Sequence, residues 1–400
     1  MVVFMRGLRW GGIGLGAGYL ALVWAAHNRD NPTPAMILYL TVSSVYLILV
    51  SRLGGEERPG SLRFVLGLAL LFRLAAFWMA PVFTDDLYRY RWEGRLQLAG
   101  GNPYQERPGD PRWSGLRDET YPLVDGKDFK AVYGPLVEHL EREMARLSEA
   151  LWIHKLPAVL ADGVLLVLLA RWHGPRAALL YGWCPLGVVE FAGMGHNDAL
   201  LILALALAMR YRSALALGLA IAVKWWPALL LPAFVRTDRR TAWAVLVPVV
   251  LFLPYASDIR ENADFASGFL GGWSNNPSLF WLIEFVSPSR AAGKYLVLGL
   301  LGVVALWPQR LERSVLTTTL ALLLLSANVH PWYLTWLLPH WAVLAAPPVA
   351  VWMALTPLQY WALGEWRTAG RWVERGPWNV VVYCTSGVVL LLWWLRRRRL

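Results

Sequence analysis

Cysteine is nearly absent from this chain: two residues in 400, Cys184 and Cys384, each inside an apolar run. That excludes a disulfide framework and a cysteine-based metal site, and no redox chemistry follows from a pair so placed. Charge is scarce too, at 16% of residues against 57% hydrophobic, with a mean hydropathy of +0.41. A soluble globule cannot keep its surface wet on that composition, so the chain reads as an integral membrane protein. Among the 38 Lys+Arg only five are lysine, and 27 Asp+Glu leave a net charge of +11. Spread between apolar segments, that excess is a topology signal rather than a nucleic-acid footprint. Zinc spacing, a P-loop and a nucleophile elbow are missing, which argues against ATP-driven transport within this chain. Gly11, Gly12, Gly14, Gly16 and Gly18 imitate a dinucleotide fingerprint, but no strand precedes them and close helix packing is the better reading.

What is abundant is tryptophan, 24 residues, as suits many membrane–water boundaries. A first apolar stretch follows Met1 to Trp10 without a clear cleavage site and reads as a retained helix. Further apolar segments lie near residues 35–51, 64–80, 152–170, 177–193, 198–209, 213–235, 241–255, 293–308, 314–328, 332–346, 349–363 and 378–395. The spacing predicts an all-α polytopic membrane protein of about 12 to 14 transmembrane helices. Between 198 and 235 the pieces flanking Lys224-Trp225-Trp226-Pro227 are too short to span alone, so a broken or re-entrant helix is expected there. Arg6 and Arg9, the Arg52 to Arg63 loop, Arg171, Arg176, Arg210, Arg212, Arg236, Arg239, Arg240, Arg310, Arg313 and Arg396 to Arg399 fall on one side. By the positive-inside rule that side is cytoplasmic, with both termini. Residues 81–150, the 195–198 turn, 256–292, 328–333 and 364–377 are then extracytoplasmic.

Five polar clusters stand out, each with a bland reading beside a functional one. Asp85 and Asp86, directly after an apolar segment, are costly to hold charged and suit a general base or a metal site. Alternatively Asp85 caps the helix that follows while Asp86 pairs with Arg89 or Tyr90. Gly100 to Tyr104 has the composition of a tight turn, and Tyr133-Gly134-Pro135-Leu136 opens an amphipathic helix. Glu190 lies inside an apolar segment, by default a functional candidate, and leads into Gly195-His196-Asn197-Asp198. There His196 reads equally as a surface histidine beside an N-capping Asp198. Lys224 either snorkels in an aromatic belt or holds a lipid phosphate. Asn328 to Tyr333, with His330 and Tyr333, suits an anion, sugar hydroxyls or an interfacial anchor. Gly271-Gly272-Trp273-Ser274-Asn275-Asn276 is a weak carbohydrate signal.

The string from Thr84-Asp85-Asp86-Leu87-Tyr88-Arg89-Tyr90-Arg91-Trp92-Glu93-Gly94, through Gly101-Asn102-Pro103-Tyr104, Tyr133-Gly134-Pro135-Leu136 and Gly195-His196-Asn197-Asp198-Ala199-Leu200, to His330-Pro331-Trp332-Tyr333, resembles the GT-C class of multi-spanning glycosyltransferases. Within it the chain is most similar to bacterial polyprenol-phosphate-mannose-dependent mannosyltransferases, the type that extends mannan and phosphatidylinositol mannosides, over roughly residues 60–340. The resemblance implies an enzyme of the inner membrane that moves a hexose, mannose by expectation, from a polyprenyl-phosphate donor to an extracytoplasmic glycolipid or glycan acceptor. It implies inversion and places the catalytic acid pair on Asp85 and Asp86, without separating them. Lys224, Arg89, Arg91 and His330 become candidates for the donor phosphate. His196, Asn197, Asp198, Tyr133, Tyr333 and Glu190 become candidates for sugar or acceptor, and no cofactor or metal is required. Residues 1–55 read as an added transmembrane hairpin, 56–345 as the catalytic module with the 81–150 loop, and 346–400 as terminal helices with a basic tail. Val132-Tyr133-Gly134 departs from the family pattern, where a second proline often stands. A lipid-linked-sugar flippase, which the lack of an internal repeat disfavours, and a non-catalytic envelope-assembly subunit are the rivals.

Overall fold

In the computed structural model, residues 2–53, 62–258, 274–373 and 376–398 are described. Gly271, Gly272 and Trp273, most of the Arg52 to Arg63 loop, and Arg399 fall outside them. The described chain is helical, and its one trace of sheet pairing is an isolated parallel bridge between Asn275 and Asn328. The first six α-helices described are α1 (Val2–Ala25), α2 (Thr33–Leu53), α3 (Leu62–Phe77), α4 (Asp86–Leu98), α5 (Pro135–Leu147) and α6 (Leu156–Gly182). The short α7 (Pro185–Gly187) runs into a π-helical turn, Val188–Gly193; α8 (Asp198–Tyr211) and α9 (Ala214–Val223) follow. The protein is an all-α polytopic membrane protein, and α4 and α5 are the two helices expected in the long loop.

The spans are less regular than their hydropathy implied. Among the described residues, three single helical stretches are long and apolar enough to cross a bilayer, Thr33–Arg52, Leu151–Gly182 and Pro377–Arg396, and Pro185–Gly193 with Asp198–Tyr211 form a fourth candidate bent by 120°. Other apolar segments are assembled from shorter pieces. Arg239–Val245, Leu246–Phe252 and Leu253–Asp258 join end to end as 3₁₀ and α pieces; so do Pro331–Leu337 with Leu338–Leu344, and Pro347–Leu355 with Thr356–Tyr360 and Trp361–Ala369. Pro331, Pro339 and Pro357 stand at the first turns of such pieces, where a missing N–H costs nothing but a continuous helix cannot pass. The break at Lys224 is real: α9 ends there in extended backbone and a 3₁₀ turn, Trp226–Leu230, resumes.

The glycine tract does what close packing asks. A Cβ on Gly11 or Gly18 would strike Leu49 or Val42 of α2 within 3 Å, so the α1–α2 hairpin depends on small residues. Gly134 is tighter, its absent Cβ falling 2.1 Å from the Ala222 carbonyl oxygen, while its N–H donates to the Val223 carbonyl at 3.1 Å. That contact seats the start of α5 on the end of α9 and brings the loop down over the membrane helices. Of the arginines read as cytoplasmic, Arg212 pairs with Glu312 at 3.2 Å, and Arg236 reaches the Leu306 and Trp307 carbonyls.

Between α3 and α6 the packing encloses an ion pair. Arg73 meets Asp162 with two bonds of 2.6 and 3.0 Å and also donates to the Ala69 and Gly182 carbonyls, while Tyr181 donates to Asp162 at 2.7 Å. Both charged residues are buried. Removing one partner strands the other, at a cost of about 3–5 kcal/mol, whereas removing both does not. Asp162→Ala is therefore expected to lower the melting temperature in detergent sharply, and Arg73→Met combined with Asp162→Leu to recover most of the loss. A double variant no better than the single would show that the pair is not held by mutual compensation.

Candidate active site

Asp85 and Asp86 separate as soon as α4 begins. Asp85 occupies the N-cap position, yet its side chain makes no capping bond; the Asp86 N–H is instead taken by the Thr84 hydroxyl at 3.1 Å. The Asp85 carboxylate lies between two guanidiniums, Arg29 from the α1–α2 turn and Arg367, the latter at 2.8 Å. Arg367 also donates to the Arg29 and Val82 carbonyls, and Arg29 rests 5.0 Å over the Tyr88 ring. The capping reading is thereby replaced by a clamp. Asp86 pairs with neither Arg89 nor Tyr90. It faces a cavity of about 1020 Å³, accepts from the Tyr133 hydroxyl, and has His196 Nε2 at 3.9 Å. Burial pushes the Asp86 carboxyl above its usual range, with Asp125 adding to the rise and His196 and Lys224 opposing it.

His196 is fully buried, against the surface reading. Its Nδ1 lies 3.1 Å from Glu190, and its ring stacks on Trp332 at 4.2 Å, with His330 stacked on the same indole at 4.4 Å. Gly195, at φ +78°, makes the reversal that turns His196 back toward Glu190. Glu190 sits in the π-helical turn, off the cavity wall, where Tyr39 donates to it at 3.0 Å and Tyr360 at 2.9–3.0 Å. Asp198 does not cap α8; it accepts from Lys224 Nζ at 2.7 Å and from the Trp336 indole at 2.5 Å. Asn197 reaches Glu141 at 3.3 Å, which in turn meets His154 at 2.6 Å.

Lys224 is no belt lysine. It lines the cavity, with Nζ 4.4 Å from the Tyr333 ring centre and 5.4 Å from that of Trp336, two rings stacked 4.6 Å apart. His330 borders the same space; Asn275 lies 3.0 Å from its Nδ1, so the amide donates there and the imidazole proton sits on Nε2. Burial, with the nearby Lys224 and His196, lowers the His330 pKa to about 3, so the ring is a neutral donor. Tyr133 also stands on this wall, packed edge-on to Tyr90 at 4.9 Å.

The two arginines singled out in the sequence are occupied elsewhere. Arg89 touches the cavity, but it bonds Glu93 at 2.6 Å and the carbonyls of Asp125, Gly126 and Phe129, so it is tying down the 125–129 loop. Arg91 points to Asp118, Thr120 and Glu149 on the far face of α4 and is not on the cavity wall. Sequence reasoning passed over Arg29, Arg367, Tyr39, Tyr360, Trp336 and the cavity-lining Lys130 and Asp125. Arg29 and Arg367 carried a readable signal, since arginines in segments that the sequence reads as extracytoplasmic run against the positive-inside bias. Among the described residues no group of three or more His, Cys, Asp or Glu is arranged to hold a metal ion.

Asp85→Ala leaves two guanidiniums facing each other across a part-buried gap. It is expected to cost about 1–3 kcal/mol, read as a lower detergent melting temperature, and Arg29→Ala in the same background to restore part of it. If the second substitution lowers stability further, the clamp does not carry the energy assigned to it.

No curated protein and no solved structure shows significant similarity to the chain. A family model described as alpha-(1->6)-mannopyranosyltransferase, N-terminal domain, matches residues 13–252. The matched span includes most of the α1–α2 hairpin, which supplies Arg29 and Tyr39, and ends before Tyr360 and Arg367. With more than half of its length covered, the chain belongs to this mannosyltransferase family and is a glycosyltransferase enzyme.

Proposed function

We propose that the chain transfers a mannosyl group from a polyprenyl-phosphate donor to a hydroxyl of an extracytoplasmic glycolipid or glycan, with inversion, and that Asp86 is the base. The observation that carries this reading is the division of labour between neighbouring carboxylates: both border the cavity, but Asp85 is bound to two arginines, while Asp86 is held by none. As the acceptor oxygen attacks the anomeric carbon, its proton passes to Asp86 and the lipid phosphate leaves with the electron pair of the broken C–O bond. A phosphodiester is already a good leaving group, so the site needs chiefly donors around the phosphate. Lys224 and the Nε2–H of His330 supply them, and Arg89 and Arg91 do not. The stacked Tyr333 and Trp336 offer an apolar face to the sugar or the first prenyl carbons, beside the polar edge made by Asp198 and Lys224. An α-(1→6) linkage is the product expected from the family description.

The test is transfer by purified protein in lipid, with polyprenyl-phosphate mannose as donor and octyl mannosides as acceptors. Asp86→Asn is expected to lower kcat by about 10²–10⁴-fold with melting unchanged, while Asp85→Asn loses activity only in step with folded protein. Because only the ionised carboxylate can take the proton, kcat/KM falls as pH drops through the raised pKa of Asp86. The acid limb should accordingly lie above the ordinary aspartate value of about 3.9. Full activity in Asp86→Asn, or movement of the donor between leaflets without transfer, would overturn the assignment.

A further inference from the structure

Behind the cavity wall, Glu190, His196 and Asp86 form a line. His196 has Glu190 3.1 Å from Nδ1 and Asp86 3.9 Å from Nε2, and neither nitrogen meets its neighbour with the alignment of a finished hydrogen bond. The imidazole is wholly buried with both polar atoms unsatisfied. Such a group is expensive to keep unless it serves a second state of the site. Three further features point the same way. Glu190 sits in a π-helical turn, the kind of helix defect that gathers at functional sites. Its carboxylate is oriented by two tyrosine hydroxyls from separate helices, Tyr39 and Tyr360. Trp332, stacked at 16° to the ring, prevents His196 from swinging out of line.

We propose that Glu190 is a positioning residue that aims His196 at Asp86, so that the acceptor's proton, once on Asp86, moves on to His196 Nε2. This rests on Asp86 being the base. The sequence balances: the acceptor O–H proton goes to Asp86 Oδ2 as the new C–O bond forms, and the phosphate departs with its electron pair. Asp86 then donates to Nε2, and the resulting imidazolium, its Nδ1–H toward Glu190, is neutralised by that carboxylate. Asp86 is left ionised, and the cycle closes when the imidazolium returns the proton through Asp86 to water in the cavity after the products leave. Without Glu190 the same step would create an uncompensated cation in a buried pocket. The 3.9 Å gap needs a shift of about 1 Å, as contacts of this kind tighten in the reacting complex.

Asp86 sees His196, Asp125, Lys224 and Tyr133, beside Asp85 with its two arginines. Glu190 sees Tyr39, Tyr360 and His196. His196 sees Glu190, Asp86 and, across Trp332, the neutral His330; the stem of Lys155 packs at Gly195 next to it. None of the others is placed to accept a proton from Asp86 and hand its charge to a carboxylate.

The experiment compares Glu190→Gln and Tyr360→Phe with wild type in the octyl mannoside assay, across pH. Glu190→Gln is expected to lower kcat at least about tenfold, to leave the acceptor KM within about twofold, and, because loss of a nearby anion makes it easier to hold Asp86 ionised, to move the acid limb of kcat to lower pH. Tyr360→Phe keeps the ring and removes one donor to Glu190, so it should lower kcat by less. If Glu190→Gln does not fold, Tyr360→Phe and Tyr39→Phe carry the test alone. Activity that falls only in proportion to folded protein, with an unmoved pH profile, would overturn the relay. The two readings fail separately: an active Asp86→Asn removes the base and the relay with it, whereas a dead Asp86→Asn beside an unmoved Glu190→Gln profile removes the relay alone.

Discussion

The clamp on Asp85 orders much of what surrounds it. One carboxylate draws together the α1–α2 turn through Arg29, the start of α4, and the Trp361–Ala369 helix through Arg367, three regions more than 50 residues apart in sequence. Adjacent residues on a helix diverge by about 100°. With Asp85 held by the arginines at the first turn of α4, Asp86 points away from them, toward Tyr133 and His196 on the same cavity. A pair that looks symmetric in sequence is made unequal by what stands on either side of it.

The same rule, that a charge in a low-dielectric setting must find its opposite, shapes the rest of the site. Arg73 takes Asp162, Arg89 takes Glu93, and Lys224 takes Asp198. Each pair fixes a segment: α3 against α6, the 125–129 loop against α4, and the broken end of α9 against the start of α8. Lys224 is the instructive case, since the extended backbone at the end of α9 is what lets its ammonium reach inward. A regular helix through residues 198–235 would have carried it elsewhere. What is left unpaired is then meaningful, and Asp86, His196 and Glu190 are a line of groups in range of one another but not closed.

Several elements were legible before any coordinates. The composition and arginine asymmetry gave the class, and the amphipathic helices at residues 86 and 135 and the break at Lys224 lay where the pattern placed them. Asp86, Asp198, Lys224 and His330 border one cavity, with His196 behind its wall. Pairings were not legible. Asp85 as a cap, Asp198 as a cap and Lys224 in an aromatic belt each rest on local rules that hold for an isolated helix end. In each case a distant partner of opposite charge or a buried indole was worth more than the local bond. The pieces within a span were illegible for a related reason: hydropathy windows average over prolines such as Pro331, Pro339 and Pro357 that divide one apolar run into joined pieces.

Two signals in the sequence were stronger than they looked, and both are charges in the wrong place. Arg73 and Asp162 each sit inside an apolar segment, where an ionisable residue implies a partner; with opposite signs on segments at similar depth, they were each other's. Arg29 lies in the α1–α2 turn and Arg367 in the Trp361–Ala369 helix, segments that the arginine pattern reads as extracytoplasmic, where arginine is disfavoured, so something there had to justify them. The acidic doublet opening the 81–150 loop was the available reason, and the fold decides which of the two takes the arginines.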